Sequence, residues 1–322
     1  MRYVRLGKTD LEVSAIAFGT WAFGGDWGPF DAGEAKGAIH RALDLGITFF
    51  DTAHAYGFGL SERLLSSSLG ERSLGEVVIA TKGGLRREGD LIVRDASAAW
   101  IREGVERSLR NLRVDHIDLY HLHWPDPNTP AEETAGALER LVAQGKIRHV
   151  GVSNFDVEQM DTLARCGGRV ETLQPAYHMF RRHIEVDVLP YCFEHDIGVL
   201  VYGTLAHGLL TGHITADTTF APDDWRSQSS DFSGEVFRRN LEVVEALKEF
   251  AQERLILLGQ LAVAWTLAHS AVQVAILGAR RASQLEQTAS AADVELSEAE
   301  LREIDRILGV AAPLAAPNPV GM

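Results

Sequence analysis

A carboxylate, a phenol, a primary amine and an imidazole each stand just past a short apolar run in this chain. ITFFDTAHAY (47–56) supplies Asp51 and Tyr56, VVIATK (77–82) supplies Lys82, and IDLYHLHWP (117–125) supplies His123. Together these groups suit the reduction of a carbonyl, which needs hydride at carbon and a proton at oxygen. A phenol, with an unperturbed pKa near 10, delivers that proton when a nearby ammonium stabilises the phenolate left behind. Lys82 is the candidate ammonium, and Asp51 is the partner that would make its burial tolerable. His123 would orient the carbonyl oxygen through one ring nitrogen. Each residue alone is an ordinary loop feature; their joint position is what points to this chemistry.

That position follows from the elements around them. YVRL, the Gly7-Lys8-Thr9-Asp10 turn and LEVS predict a hairpin over residues 2–15. Strand-like runs then recur at 15–19, 47–50, 76–80, 117–122, 147–152, 171–174, 198–202 and 272–277. Helical stretches separate them near 33–45, 60–69, 95–112, 131–144, 156–165, 186–195 and 236–269, and further helices follow near 282–291 and 297–308. Strands alternating with helices in this way predict an α/β fold, a (β/α)8 TIM barrel with an N-terminal hairpin and extra C-terminal helices, in one domain over 1–322. In such a barrel the C-terminal strand ends converge on one face, so residues distant in sequence meet there. No GxGxxG follows an early strand, which argues against a Rossmann domain. Asp156 and Gln159 form the pattern of a capping box, and Gly46, Gly145 and Gly198 mark helix-to-strand turns. Residues 203–235, with glycines at 203, 208, 212 and 234, predict a loop covering a ligand. The tail over 309–322 is expected to be irregular.

The 322 residues are 46% hydrophobic and 24% charged, the composition of a globular protein with ample core. A net charge of −14 argues against a nucleic-acid partner, which demands a basic face. Only Cys166 and Cys192 are present, so a disulfide framework is excluded and a reducing compartment is the simplest reading. The N-terminus lacks the apolar core of a secretion signal. The most apolar stretch, 255–277, is interrupted by Gly259, Gln260, His269 and Ser270 and reads as a buried helix followed by a buried strand rather than a membrane span. A cytoplasmic protein acting on a small molecule is expected; the oligomeric state stays open, a monomer being the simplest expectation.

The sequence resembles the aldo-keto reductase family, its bacterial and potassium-channel-β-subunit-like branch. The resemblance is carried by GITFFDTAHAYGFGLSE (46–62), IDLYHLHWPD (117–126), GKIRHVGVSNF (145–155), TLQPAYHMF (172–180), YGTLAHGLLTGH (202–213) and ILGARRASQLEQT (276–288). It implies an NADPH-dependent oxidoreductase with Tyr56 as general acid, supported by Asp51, Lys82 and His123, and with NADH as a possible cofactor. Position by position, it implies that Ser153 and Asn154 hold the carboxamide with help from Gln174, and that Tyr202 stacks on the nicotinamide. Gly203, Thr204, Leu205, Gly208 and Leu209 would line the pyrophosphate, and Gly278, Arg280, Gln284, Gln287 and Thr288 the adenosine end. Thr20, Trp21 and Asp51 complete the implied cofactor contacts. The types agree with these roles: amides at 154 and 174 offer donors and acceptors, glycines allow close backbone approach to phosphate, and Arg280 and Arg281 match a 2′-phosphate. His213, Gln287 and Thr288 depart from the family pattern of lysine, glutamate and asparagine. The first departure removes a permanent charge near the phosphates.

Trp21, Trp27, Phe58 and Trp124 are expected to wall an apolar substrate pocket, and a small aldehyde or ketone is the expected substrate. Three rivals deserve statement. His121 and His123 share one strand face, as two ligands of a metal-dependent hydrolase would. Lys82 could form a Schiff base. A cofactor-sensing regulatory subunit would bind the dinucleotide with little turnover.

Overall fold

The computed structural model describes residues 1–314 apart from Asp26 and Asp223, and only the backbone of residues 71–73. Eight parallel strands close a barrel: β3 (Ile16–Gly19), β4 (Phe49–Asp51), β5 (Val78–Gly83), β8 (Ile117–Leu122), β9 (Ile147–Ser153), β10 (Thr172–Gln174), β11 (Gly198–Val201) and β12 (Val274–Gly278), with β12 pairing back onto β3. All eight coincide with predicted runs, because each is a short, almost wholly buried segment between turn residues. The helices α1 (Ala32–Asp44), α2 (Leu60–Leu74), α3 (Ala98–Leu112), α4 (Ala131–Ala143), α5 (Val157–Arg165) and α6 (Val188–Glu194) fall between successive strands. They show why the sequence folds locally as it does. In α1 the Asp31 side chain caps Glu34 N, and Ala35, Ala38, Ile39 and Ala42 form its buried face. The capping box of Asp156 and Gln159 opens α5.

Two apolar layers result. The larger lies between strands and helices; a smaller one fills the barrel with Ala17, Phe49, Ala80, Leu119, Leu200, Val274 and Ile276. Leu6, Leu11 and Val13 join this inner layer from the predicted hairpin, β1 (Tyr3–Arg5) and β2 (Glu12–Ser14), which closes the N-terminal mouth. The closure is tight: a Cβ on Gly7 (φ +52°) would lie 2.2 Å from the Gly198 nitrogen at the start of β11. Among the described residues, no helix is long and apolar enough to cross a membrane.

Three expectations are corrected. The stretch read as one helix over 236–269 is two, α7 (Gly234–Glu253) and α8 (Leu258–Ala268), separated where Leu255 takes a left-handed φ of +57°. The pair β6 (Leu85–Glu88) and β7 (Leu91–Arg94) forms an antiparallel hairpin in a segment given no structure. The segment after β11 is not structureless: it folds into short 3-10 helices at Ala206–Thr211, Trp225–Gln228 and Ser230–Phe232 before α7 begins. Helices α9 (Ala282–Thr288) and α10 (Glu298–Leu308) end the fold, as expected. Of the tail, residues 309–314 are irregular yet tied down by Asn240–Ala312 and Leu314–Phe180 hydrogen bonds; residues 315–322 lie outside the described ones.

Candidate active site

The parallel register brings Asp51, the last residue of β4, beside Gly19 and Ala80, and Lys82 beside His121. Side chains from adjacent strand ends therefore meet inside the C-terminal rim. Lys82 Nζ donates to Asp51 Oδ2 at 2.7 Å, to the Thr52 carbonyl at 2.8 Å and to Tyr56 Oη at 3.3 Å. An ammonium has three N–H groups, and all three are used. The pair is almost dry: side-chain exposure is 1% for Lys82 and 4% for Asp51. Burial pulls the Lys82 pKa below its usual value, with Asp51 opposing that pull.

Tyr56 stands above this amine on the turn after β4, its ring 5.8 Å from His123 and stacked at 6.4 Å on Trp21. His123, just past β8, is held well below the ordinary histidine range by burial first and the Lys82 charge second, so the imidazole is neutral. His121, two residues earlier on the same face, lies inside the barrel with Nε2 3.0 Å from Thr172 Oγ1. Gly151 makes room for this, since a Cβ there would meet Thr172 Oγ1 at 2.1 Å. With one nitrogen of His121 so engaged, the strand face that suggested two metal ligands is a packed interior. Among the described residues, no cluster of three His, Cys, Asp or Glu side chains could hold a metal ion.

The strand ends opposite carry amides. Gln174, ending β10, donates from Nε2 to Asp51 Oδ1 at 2.8 Å. Ser153 Oγ donates to the Gln174 carbonyl at 2.8 Å. Asn154, with φ +62°, donates to the His123 carbonyl and to Ser153 Oγ, both at 3.1 Å, and accepts from Tyr202 Oη at 2.8 Å. Burial raises the Tyr202 pKa to about 12.

One cleft of about 980 Å³ runs over these groups and along the rim. Its lining takes in Asp51, Tyr56, His123, Trp21, Trp27, Trp124, Ser153, Asn154, Gln174, Tyr202, Gly203, Thr204, Leu205, Gly208, Gly278, Arg280, Gln284, Gln287 and Thr288, and the departing His213. Five sequence-predicted residues do not line the cleft. Lys82 lies beneath the wall, bonded to the cleft-lining Asp51 and Tyr56. Thr20 is fully buried, bonded to the Asp51 carbonyl and to Ser61. Phe58 packs against His54 and under Arg87, away from the cleft. Leu209 points into the main core, because the 3-10 turn that carries it buries one apolar side. Arg281 also turns outward, to Glu34 at 3.1 Å.

The sequence reading missed three parts of the lining. Leu85 and Ile92 come from the β6–β7 hairpin, for which Glu88-Gly89-Asp90 was an available turn signal. His207 and Arg226 come from the segment after β11; Trp225 packs edge to face on both Trp27 and His207, and Arg226 lies 5.0 Å over the Trp27 ring. Lys248 and Gln252 come from the end of α7, and Ile256–Gly259 from the break and the first turn of α8.

A closed parallel barrel with a polar cluster and a long cleft at its C-terminal rim has the design of a TIM-barrel enzyme. This chain belongs to the aldo/keto reductase family, whose model matches residues 15–308. It is 42% identical over 316 residues to aldo-keto reductase YhdN of Bacillus subtilis, covering 96% of this chain and 94% of that one. It is 33% identical to the NADH-specific methylglyoxal reductase of Escherichia coli, with 93% and 96% covered. The structure of glycerol dehydrogenase AKR11B4 from Gluconobacter oxydans superposes with a TM-score of 0.89 at 40% identity, covering 99% of this chain and 98% of that one. The family consists of oxidoreductases that act on small carbonyl compounds with nicotinamide cofactors.

Proposed function

We propose that this protein reduces small aldehydes or ketones with NADPH, using Tyr56 as the proton donor. The observation that carries the reading is the Lys82–Tyr56 bond of 3.3 Å inside a cleft-lining array. A phenol oxygen that accepts from Lys82 keeps its own proton for another acceptor, and the ammonium remains beside it to stabilise the phenolate as that proton leaves. His123 is neutral, so one ring N–H can orient a carbonyl oxygen without adding a competing strong acid. Asp51 and the Thr52 carbonyl hold the other two ammonium hydrogens and thereby aim the third.

The residues present fit a nicotinamide dinucleotide. Amides and a hydroxyl gather at Ser153, Asn154 and Gln174, while Gly203 and Gly208, both at positive φ, and Gly278 bare the backbone along the cleft. Arg280 also lines the cleft, its guanidinium donating to the Trp27 carbonyl. When bound, the cofactor supplies the hydride. We read residues 203–233, with the Trp27–Trp225 contact, as its cover. The preference for NADPH rests on Arg280 alone, since Arg281 faces Glu34. The E. coli relative carries the name NADH-specific, so the choice has to be measured.

The pocket beside Tyr56 is walled by Trp21, Trp27, Ala55, Leu85, Ile92 and Trp124, which favours an apolar aldehyde. Absorbance at 340 nm with NADPH, then NADH, against a panel of carbonyl compounds tests the reading. Turnover of aldehydes with a larger kcat/KM for NADPH is expected. Equal values for the two cofactors would remove the preference, and tight cofactor binding without turnover would favour a regulatory role.

A further inference from the structure

Gln174 does more in this molecule than offer an amide to a ligand. Its Nε2 lies 2.8 Å from Asp51 Oδ1, while Lys82 occupies Asp51 Oδ2 at 2.7 Å. Because a carboxylate only accepts, the NH2 end of the glutamine must face Asp51, and the amide orientation is thereby decided. Gln174 Oε1 is then left to face the cleft that Gln174 lines. Both ends of the link are deeply buried, Gln174 at 2% exposure and Asp51 at 3%, so water does not substitute for either partner. We infer that Gln174 is a positioning residue for the proton donor: it locks the plane of the Asp51 carboxylate, which holds Lys82 so that its third N–H reaches Tyr56.

The chain of contacts is Gln174, Asp51, Lys82, Tyr56, and three of its members come from different strand ends. A carboxylate held at one oxygen only is free to swing, and a swing at Asp51 draws Nζ off the phenol. Losing the Gln174 donor also leaves the Asp51 charge less neutralised. Both effects disfavour the tyrosinate. The charged or titratable groups facing Tyr56 and Lys82 are Asp51, His123, His121 and Glu62, the last acting on Lys82 through the barrel wall. None of these replaces the glutamine at Asp51 Oδ1. The same geometry would link the array to the cofactor, because a carboxamide NH2 donating to Gln174 Oε1 would polarise the amide and strengthen its grip on Asp51.

The inference rests on the reductase reading for its meaning, but its first test needs no turnover. The tyrosinate transition of Tyr56 is isolated in the cofactor-free protein as the difference at 295 nm between a parent and its Tyr56→Phe derivative. We expect the midpoint to rise by about one pH unit in Gln174→Met, which keeps the volume and removes the amide, and further in Gln174→Glu. The reductase pH profile should move by the same amount. A 3-acetylpyridine analogue of the cofactor, which lacks the carboxamide NH2, should bind the wild type at least several-fold more weakly than the natural cofactor, and bind Gln174→Met with no such difference. If the midpoints of wild type and Gln174→Met coincide while both variants keep native circular dichroism, Gln174 has no positioning role. A wild type without turnover would overturn the reductase reading and leave the spectroscopic result standing.

Discussion

The two ends of the barrel treat the same residue type in opposite ways. At the C-terminal rim, His123 is buried with the Lys82 ammonium as the nearest strong charge, and its pKa falls well below the ordinary histidine range. At the N-terminal end, His149 on β9 has Nδ1 3.0 Å from Glu171 and Nε2 2.6 Å from Asp10, the tip of the hairpin that closes that mouth. The bond to Glu171 raises its pKa, and Asp10 adds to the effect. With a carboxylate on each nitrogen, His149 clamps hairpin to barrel and its charged form is favoured; His123, with none, is favoured as the neutral ring. Burial lowers both histidines; at His123 the Lys82 charge adds to that pull, whereas at His149 the two carboxylates outweigh it.

The comparison is sharpened by breaking each end in turn. The largest effect is expected from Tyr56→Phe, which should lower kcat by roughly 10²–10⁴ while leaving fluorescence titrations with NADPH within about two-fold of wild type. An unchanged kcat would remove Tyr56 from the reaction. Next comes Lys82→Met, which strands the Asp51 carboxylate in a dry site; urea unfolding should show a loss of about 3–5 kcal/mol. Adding Asp51→Asn should restore much of that loss without restoring turnover. If Lys82→Met unfolds like the wild type, the pair is not coupled as described.

Smaller changes follow away from the chemistry. Ile92→Ala should alter kcat/KM for bulky aromatic aldehydes by roughly 10-fold and leave the smallest aldehydes nearly unaffected. At the barrel floor, His149→Gln should cost about 1 kcal/mol of stability at pH 6 and leave kcat unchanged. The sign follows from the raised folded pKa: the clamp's contribution is complete below the unfolded value near 6.5 and fades as pH rises through the higher folded value. Urea midpoints of wild type and His149→Gln should therefore converge in alkaline solution. A gap that widens with pH would contradict the clamp.

Much of the barrel was legible because each strand is a brief apolar run bounded by turns, and the helices between them carry caps and apolar faces such as Asp31 with Ala35, Ile39 and Ala42. The α7–α8 break was not, since Leu255 interrupts the helix without a glycine or proline to announce it. The β6–β7 hairpin was missed because LRRE and LIVR are short and half exposed, so period-two patterning is faint even though Gly89 marks the turn. Within the site, Leu205 and Leu209 are chemically alike, yet only Leu205 lines the cleft. Between them Ala206, His207 and Gly208 all take positive φ, and only the glycine among them signals that in the sequence.

What the chain's order of residues determined by itself is which functional groups end up at strand ends: apolar runs must be buried, and a parallel barrel then sends every following polar residue to one rim. Only the tertiary structure decided how those groups share their protons and charges. Gln174 meets Asp51 across 123 positions of sequence, and Lys82 divides its three hydrogens among partners that spacing cannot rank. Hydrogen bonds depend on tenths of an ångström and on direction, and those are properties of the closed barrel rather than of any segment within it.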